Sequence, residues 1–203
     1  MASVAKQSQQ TDSQPKRTAI LEAALERFAE LGVNGVAVPD IANRARVGTG
    51  TIYRYFENKE ALVNALFQEE KIRFGEYLAQ SNGRKGPTRE LFNEHWQRMI
   101  GFAREYPRAF RFLELQDHLP YLNENSRELE REVLRKLAQP ARNLQQQGVF
   151  RSDIRAEVLM ATVWGAFVNL MKAERAGYIE LSDKDIDDAR DACWRICAID
   201  PNR

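Results

Sequence analysis

Cysteine, histidine and net charge are all scarce in this chain of 203 residues. Two cysteines, Cys193 and Cys197, are too few for a disulfide framework. Their i,i+4 spacing on one helical stretch predicts two reduced, buried thiols, with a redox pair as the alternative. The only histidines, His95 and His118, stand 23 residues apart with no ligand-like spacing around them, so no metal is expected. No nucleophile is grouped with a base and an orienting residue, so neither catalysis nor a cofactor is expected. A formal net charge of +1 gives no whole-chain argument for nucleic acid, and any such argument has to be local.

Long apolar runs and strand patterns are missing too. The longest uncharged apolar stretch, VLMATVWGAFVNLM from Val158 to Met171, is 14 residues, short of the bilayer requirement of about 20. It reads as a deeply buried helix, and no membrane partner is expected. The opening MASVAKQSQQTDSQP has no apolar core, so it reads as a disordered tail over residues 1–15 rather than a secretion signal, and the protein is expected in the cytoplasm. No segment alternates at period two for long enough to form a strand, and no internal repeat is found.

Helical periodicity fills the remainder. Ile20, Ala24, Phe28 and Leu31 form one stripe, flanked by Leu21 and Leu25, with Gly32 as the stop. A short helix follows with Pro39 near its start and Ile41, Ala42 and Ala45 on its apolar face. Another starts near Asn58 and runs to about Gln80. SNGRKGP, Ser81 to Pro87, is a loop, and helices are expected near 88–105, 107–117, 125–147, 154–176 and 183–199. The fold expected is all-α: a helix-turn-helix domain over 16–62, then a helical bundle over 63–203.

Between the second and third helices lies VGTGTIYRYF, Val47 to Phe56. At about 100° per residue, Ile52 and Phe56 share one face, Gly50, Thr51 and Arg54 point the opposite way, and Tyr53 and Tyr55 flank them. A recognition helix in a major groove needs this distribution. Gly50 lets backbone approach closely. Thr51 suits a base edge or thymine methyl, and Arg54 suits guanine or phosphate. The two phenols suit phosphates on either margin. Lys59 adds a phosphate contact from the next helix. From Val38 to Lys59 four basic residues stand against two acidic ones. A surface helix with half-buried aromatics is the competing reading.

The block VAVPDIANRARVGTGTIYRYFENKEAL, Val36 to Leu62, with RTAILEAALERFAELG upstream, resembles the DNA-binding region of the tetracycline-repressor (TetR) family of bacterial regulators. The resemblance covers about 50 residues. It implies a homodimer on a palindromic double-stranded operator, contacted by Thr49, Gly50, Thr51, Tyr53, Arg54, Tyr55 and Lys59, with Arg46 and Gly48 in the turn. Most such regulators repress; an activator stays open, as does a helical small-molecule carrier with a vestigial DNA head. Three departures stand out. Val36–Val38 lacks the usual Ser or Thr cap, Arg46 stands where Gly is common, and Gly48 replaces a capping residue, a role expected to pass to Thr49.

The resemblance also implies that the C-terminal part binds a small effector and dimerises. Aromatic and Met-rich composition suits a largely apolar pocket lined by Phe92, His95, Trp96, Met99, Phe112, Gln116, His118, Trp164 and Phe167, with Asn169 as a further polar group. The stretch 154–176 carries one stripe through Leu159, Val163, Ala166 and Leu170, and another through Met160, Trp164, Phe167 and Met171. The first of these is expected to meet a second subunit, together with Ile186, Ala189, Cys193 and Ile196 on the last helix; a purely intrachain core is the alternative.

Overall fold

A computed structural model describes residues 2–80 and 88–199, with side chains described from Gln14 onward. In chain order the helices are α1 (Ala2–Leu31), α2 (Val38–Ala45), α3 (Thr49–Tyr55), α4 (Lys59–Ala79), α5 (Thr88–Glu105), α6 (Pro107–Phe110), α7 (Glu124–Gln146), α8 (Ala156–Arg175) and α9 (Asp183–Cys197). Among the described residues there is no strand, only one antiparallel bridge between Phe150 and Ala198, and no helix is long and apolar enough to cross a membrane. Of the tail expected over 1–15, residues 2–15 are helical, with Pro15 inside α1, and the stripe that buries begins only at Ile20. The expected loop 81–87 lies outside the described residues.

The chain folds as two units. One comprises residues up to Lys71 together with Tyr106–Leu129. Its core is Ile20, Ala24 and Phe28 of α1 with Ile41, Ile52, Phe56, Leu62 and Phe67. Leu31, expected to complete the α1 stripe, is 52% exposed. Gly32 adopts a left-handed φ of 73° and ends the helix there, and Val33 and Val36 take the inward positions instead. The region expected as one helix over 107–117 breaks up: α6 is a single turn, Arg111–Leu115 is a π turn, and Leu119–Tyr121 is a 3-10 turn.

This broken segment is part of the first unit. Phe112 stacks on Phe28 with centroids 6.2 Å apart, and buried His118 lies 5.1 Å from the Phe67 ring and 5.3 Å from that of Phe112. The Gln116 amide donates to the Ala29 carbonyl at 3.0 Å, satisfying an orphan acceptor at the end of α1. Asn64 of α4 donates to the Tyr121 carbonyl and accepts from Asn123 N–H and the Ser126 hydroxyl, all within 2.9 Å. Ser126 is fully buried, so this network has no water to fall back on.

The other unit comprises Ile72–Glu105 together with Glu130 onward. Phe74 sits edge-on to Phe102 and Trp164 at 5.1 and 5.4 Å. A second ring cluster joins Phe92, Phe150 and Trp194. Ser182 and Asp185 cap α9 reciprocally, each accepting from the other's backbone N–H. Cys193 and Cys197 are buried and unbridged. Burial pushes both thiols up, Cys197 to about 11.

Candidate nucleic-acid interface

The local sequence builds α2 and α3 from few bonds. α2 starts without a side-chain acceptor at Ala37, but Asp40 reaches back so that Ala37 N–H donates to its Oδ2 at 3.0 Å. Half a capping box thus replaces part of the expected missing cap, and Pro39 pre-sets the first turn. At the other end Val47 N–H donates to the Ala42 carbonyl at 3.0 Å, around a left-handed Arg46 with φ 56° and ψ 42°. Three residues then separate α2 from α3. The N-cap of α3 is Gly48, with no side-chain bond. Thr49, expected to cap, is already the first helical residue, and its hydroxyl holds no capping position.

The two faces of α3 divide as the rotation predicts. Ile52 is 1% and Phe56 5% exposed, α3 packs on α2, and the Arg17 guanidinium of α1 lies over the Phe56 ring, 5.6 Å from its centroid. Gly50, Tyr53 and Arg54 are exposed, and Thr51 and Tyr55 half-buried. A Cβ placed on Gly50 would meet nothing within 4 Å, so its lack of a side chain answers no need of the free protein. α4 begins at Lys59, with Asn58 Oδ1 accepting from Ala61 N–H at 2.8 Å. Burial pushes the Lys59 ammonium down.

Charge on this surface is partly spoken for. Glu26 of α1 accepts two hydrogen bonds from Arg44 of α2, at 2.8 and 2.7 Å, and lies 3.7 Å from Arg108 of α6. The bond from Arg44 chiefly, against burial, holds the Glu26 carboxyl below its ordinary range. Sequence counting treats Arg44 as a free cation; its pairing with a carboxylate 18 residues earlier has no local signal. Glu26→Gln therefore releases two guanidiniums: non-specific DNA affinity should rise several-fold, and the salt dependence should steepen by about one phosphate contact or more. An unchanged slope in anisotropy titrations would show that neither arginine reaches DNA.

Arg46 is exposed in the one non-glycine left-handed conformation among the described residues. That backbone costs about 1 kcal/mol or more for a residue with a Cβ. Arg46→Gly should raise stability by at most about 1 kcal/mol, since glycine loses more entropy on folding. It should also lower the salt slope by about one if the side chain holds a phosphate. Denaturant melts and salt titrations of one preparation measure both.

The residues expected to line a ligand pocket do not assemble as one group. Phe112, Gln116 and His118 belong to the first unit, packed on Phe28, Ala29 and Phe67. Composition marks such rings as buried but cannot say against which partner. Asn169 is exposed and donates to the Gly165 carbonyl. Phe92, half-buried, joins the cluster with Phe150 and Trp194. His95, Trp96, Met99, Trp164 and Phe167 all lie in the second unit, where Trp96 and Phe167 meet at 6.3 Å.

The expected partner-facing stripe is likewise redirected. Leu159, Val163, Ile186 and Cys193 are 5% exposed or less within the single chain, so a second subunit could cover almost nothing more of them. Leu170 and Ala189 are half-buried and Ile196 is 38% exposed. Ala166, the exposed member of that stripe on α8, shares the open side with Val158, Ala161 and Thr162, and Ile196 of α9 and Ile199 just after it are exposed as well.

Comparison with known proteins fits this geometry. Residues 20–66 match the family described as bacterial regulatory proteins, tetR family, and residues 67–199 match the tetracyclin repressor-like C-terminal domain. The chain is 35% identical over 91 residues to the fatty acid metabolism regulator protein of Bacillus subtilis, covering 43% of this chain and 47% of that one. It thus spans about half the length of that curated relative. It is 28% identical over 177 residues to an Escherichia coli protein named as a probable acrEF/envCD operon repressor, covering 80% and 78% of the two chains. A TetR family transcription regulator from Marinobacter aquaeolei shares the fold, with a TM-score of 0.80 at 24% identity, covering 95% of this chain and 99% of that one.

Proposed function

Because this chain belongs to the tetracycline-repressor (TetR) family of bacterial regulators, we propose that it is a ligand-responsive transcriptional repressor. Two copies place their α3 helices in successive major grooves of a palindromic operator. A small, largely apolar effector held in the second unit releases them. The observation that carries this reading is the division of α3: an apolar face of Ile52 and Phe56 buried against the rest of the unit, and an outward face of exposed Gly50, Tyr53 and Arg54 with half-buried Thr51. One such helix reads only a few base pairs, and a two-fold dimer doubles both contacts and specificity.

The partner face proposed is the open side of α8, where small residues let two helices approach closely, with Ile196 and Ile199 beside it. α4 is continuous from the first unit into the second, so an effector that favours one position of its C-terminal half also biases its N-terminal half, next to α3. The relative named for fatty acid metabolism makes an effector with an aliphatic chain the first class to try.

Gel shifts on DNA upstream of the protein's own reading frame test the reading. A shifted band that footprints over an inverted repeat supports it. No shift even at low salt would favour a small-molecule carrier with a vestigial head. Ala161→Arg should yield a monomer by sedimentation with weakened operator binding; a dimer unaffected by it would exclude the α8 face.

A further inference from the structure

Trp96 is 1% exposed. Among the described residues, its indole Nε1–H and the Asn93 side-chain Oδ1 are buried polar atoms without a hydrogen-bond partner. Both stand on α5 within the second unit, and a spacing of three residues puts them on one face, a turn apart. Buried polar groups are nearly always paired, because giving up water without replacement is costly, and each exception calls for a reason. Here an unmatched donor and an unmatched acceptor are neighbours.

Their surroundings are apolar and polarisable. The Trp96 ring meets Phe167 at 6.3 Å, Phe167 meets Trp164 at 5.0 Å, and Met99 lies one turn further along α5 at 2% exposure. The nearby cation on α5, Arg98, is held by Glu94 at 3.2 Å. Burial first, and Arg98 second, push His95 down to about 4, so its ring is neutral at neutral pH. None of these groups is left to balance a carboxylate.

Resting on the reading of a ligand-responsive regulator, we infer that Asn93 and Trp96 form the polar end of the effector site and select an alkyl carboxamide. The amide carbonyl accepts from Trp96 Nε1–H, the amide N–H donates to Asn93 Oδ1, and the alkyl chain lies against Phe167 and Trp164. An ester offers the acceptor but no donor. A carboxylate offers only acceptors and brings an unbalanced charge to Asn93.

The full chain is titrated with straight-chain primary amides from hexanamide to dodecanamide, each against its matched carboxylate and methyl ester, at neutral pH. Melting temperature and tryptophan fluorescence are followed. At least one amide should bind about ten-fold more tightly than its carboxylate and its ester, the loss expected for one buried group left unpaired. Asn93→Leu should remove most of the preference over the ester while leaving ester affinity unchanged, Trp96→Phe should weaken amide and ester alike, and both should leave operator affinity unchanged. Amides that bind no better than esters or carboxylates, a preference over the ester that survives Asn93→Leu, or amide and ester affinities that Trp96→Phe leaves unchanged overturn the assignment. Failure of the unaltered protein to bind operator DNA sinks the regulator reading instead, and the amide preference is decided by the same titration without DNA.

Discussion

Gly50→Glu should abolish operator binding and leave the fold intact. Gly50 sits in the first turn of α3, and a Cβ there would meet no atom within 4 Å. The free protein thus has room for any side chain. Its helix gains from one: replacing an interior glycine removes a penalty of about 0.5–1 kcal/mol, and a carboxylate in the first turn adds about 0.3–1 kcal/mol through the helix dipole. DNA reverses the sign. The glycine is the point of closest backbone approach in the proposed complex, so a glutamate both holds α3 off the groove floor and sets a negative charge among phosphates. Affinity should fall at least about 100-fold, or 2.7 kcal/mol. Gly50→Ala should lose much less, which separates bulk from charge. Fluorescence anisotropy at fixed salt beside a thermal melt gives both quantities; normal DNA binding by Gly50→Glu would mean that α3 does not enter the groove by this end.

The helices that carry the proposed site were legible in the sequence. Everything that shapes α3 lies within about 20 residues: Pro39 and Asp40 start α2, the turn at Arg46–Gly48 is three residues long, and Ile52 and Phe56 repeat at helical spacing. Short-range geometry fixes which side chains point out: of the face expected to point outward, Gly50 and Arg54 are exposed and Thr51 is half-buried, and of the two flanking tyrosines Tyr53 is exposed and Tyr55 half-buried. Where the cap of α3 was concerned it failed, because which residue holds the first non-helical backbone differs by one position between Gly48 and Thr49.

Long-range pairing was not legible. Phe112 and His118 look like the aromatics of α5, and only the break of 107–121 into three short turns sends them back to Phe28 and Phe67. Nothing in the spacing of α6 announces that Gln116 will cap a helix ending at Leu31. α8 fails differently. It is apolar around most of its circumference, so periodicity offers two stripes without saying which faces inward. Leu159 and Val163 from one expected stripe are buried with Phe167 and Met171 from the other, while Val158, Ala161, Thr162 and Ala166 remain outside. The buried row repeats every four residues and draws on both stripes, so neither stripe alone predicts it.

Acidification between about pH 6.5 and 4 should destabilise the second unit through His95. Burial pushes this ring down from 6.5 to about 4, with Arg98 contributing repulsion. The unfolded chain takes up a proton on His95 below pH 6.5, and the folded chain only below about 4. Across that interval the unfolded state binds more protons, so unfolding becomes easier as pH falls. The contribution is fully present above pH 6.5 and lost as pH drops to about 4, at most about 3 kcal/mol from a shift of this size. Ion-paired carboxylates such as Asp191, held low first by Arg190, are lost further down the same acid limb, so wild type alone does not isolate the histidine. His95→Gln does, because it keeps a polar side chain of similar reach and removes the titration. Urea melts of both proteins at closely spaced pH values should show stabilities that converge on acidification, wild type falling more steeply between pH 6.5 and 4. Parallel curves would mean that His95 is as free to protonate in the folded protein as in the unfolded chain, and that the interior of α5 is open to water.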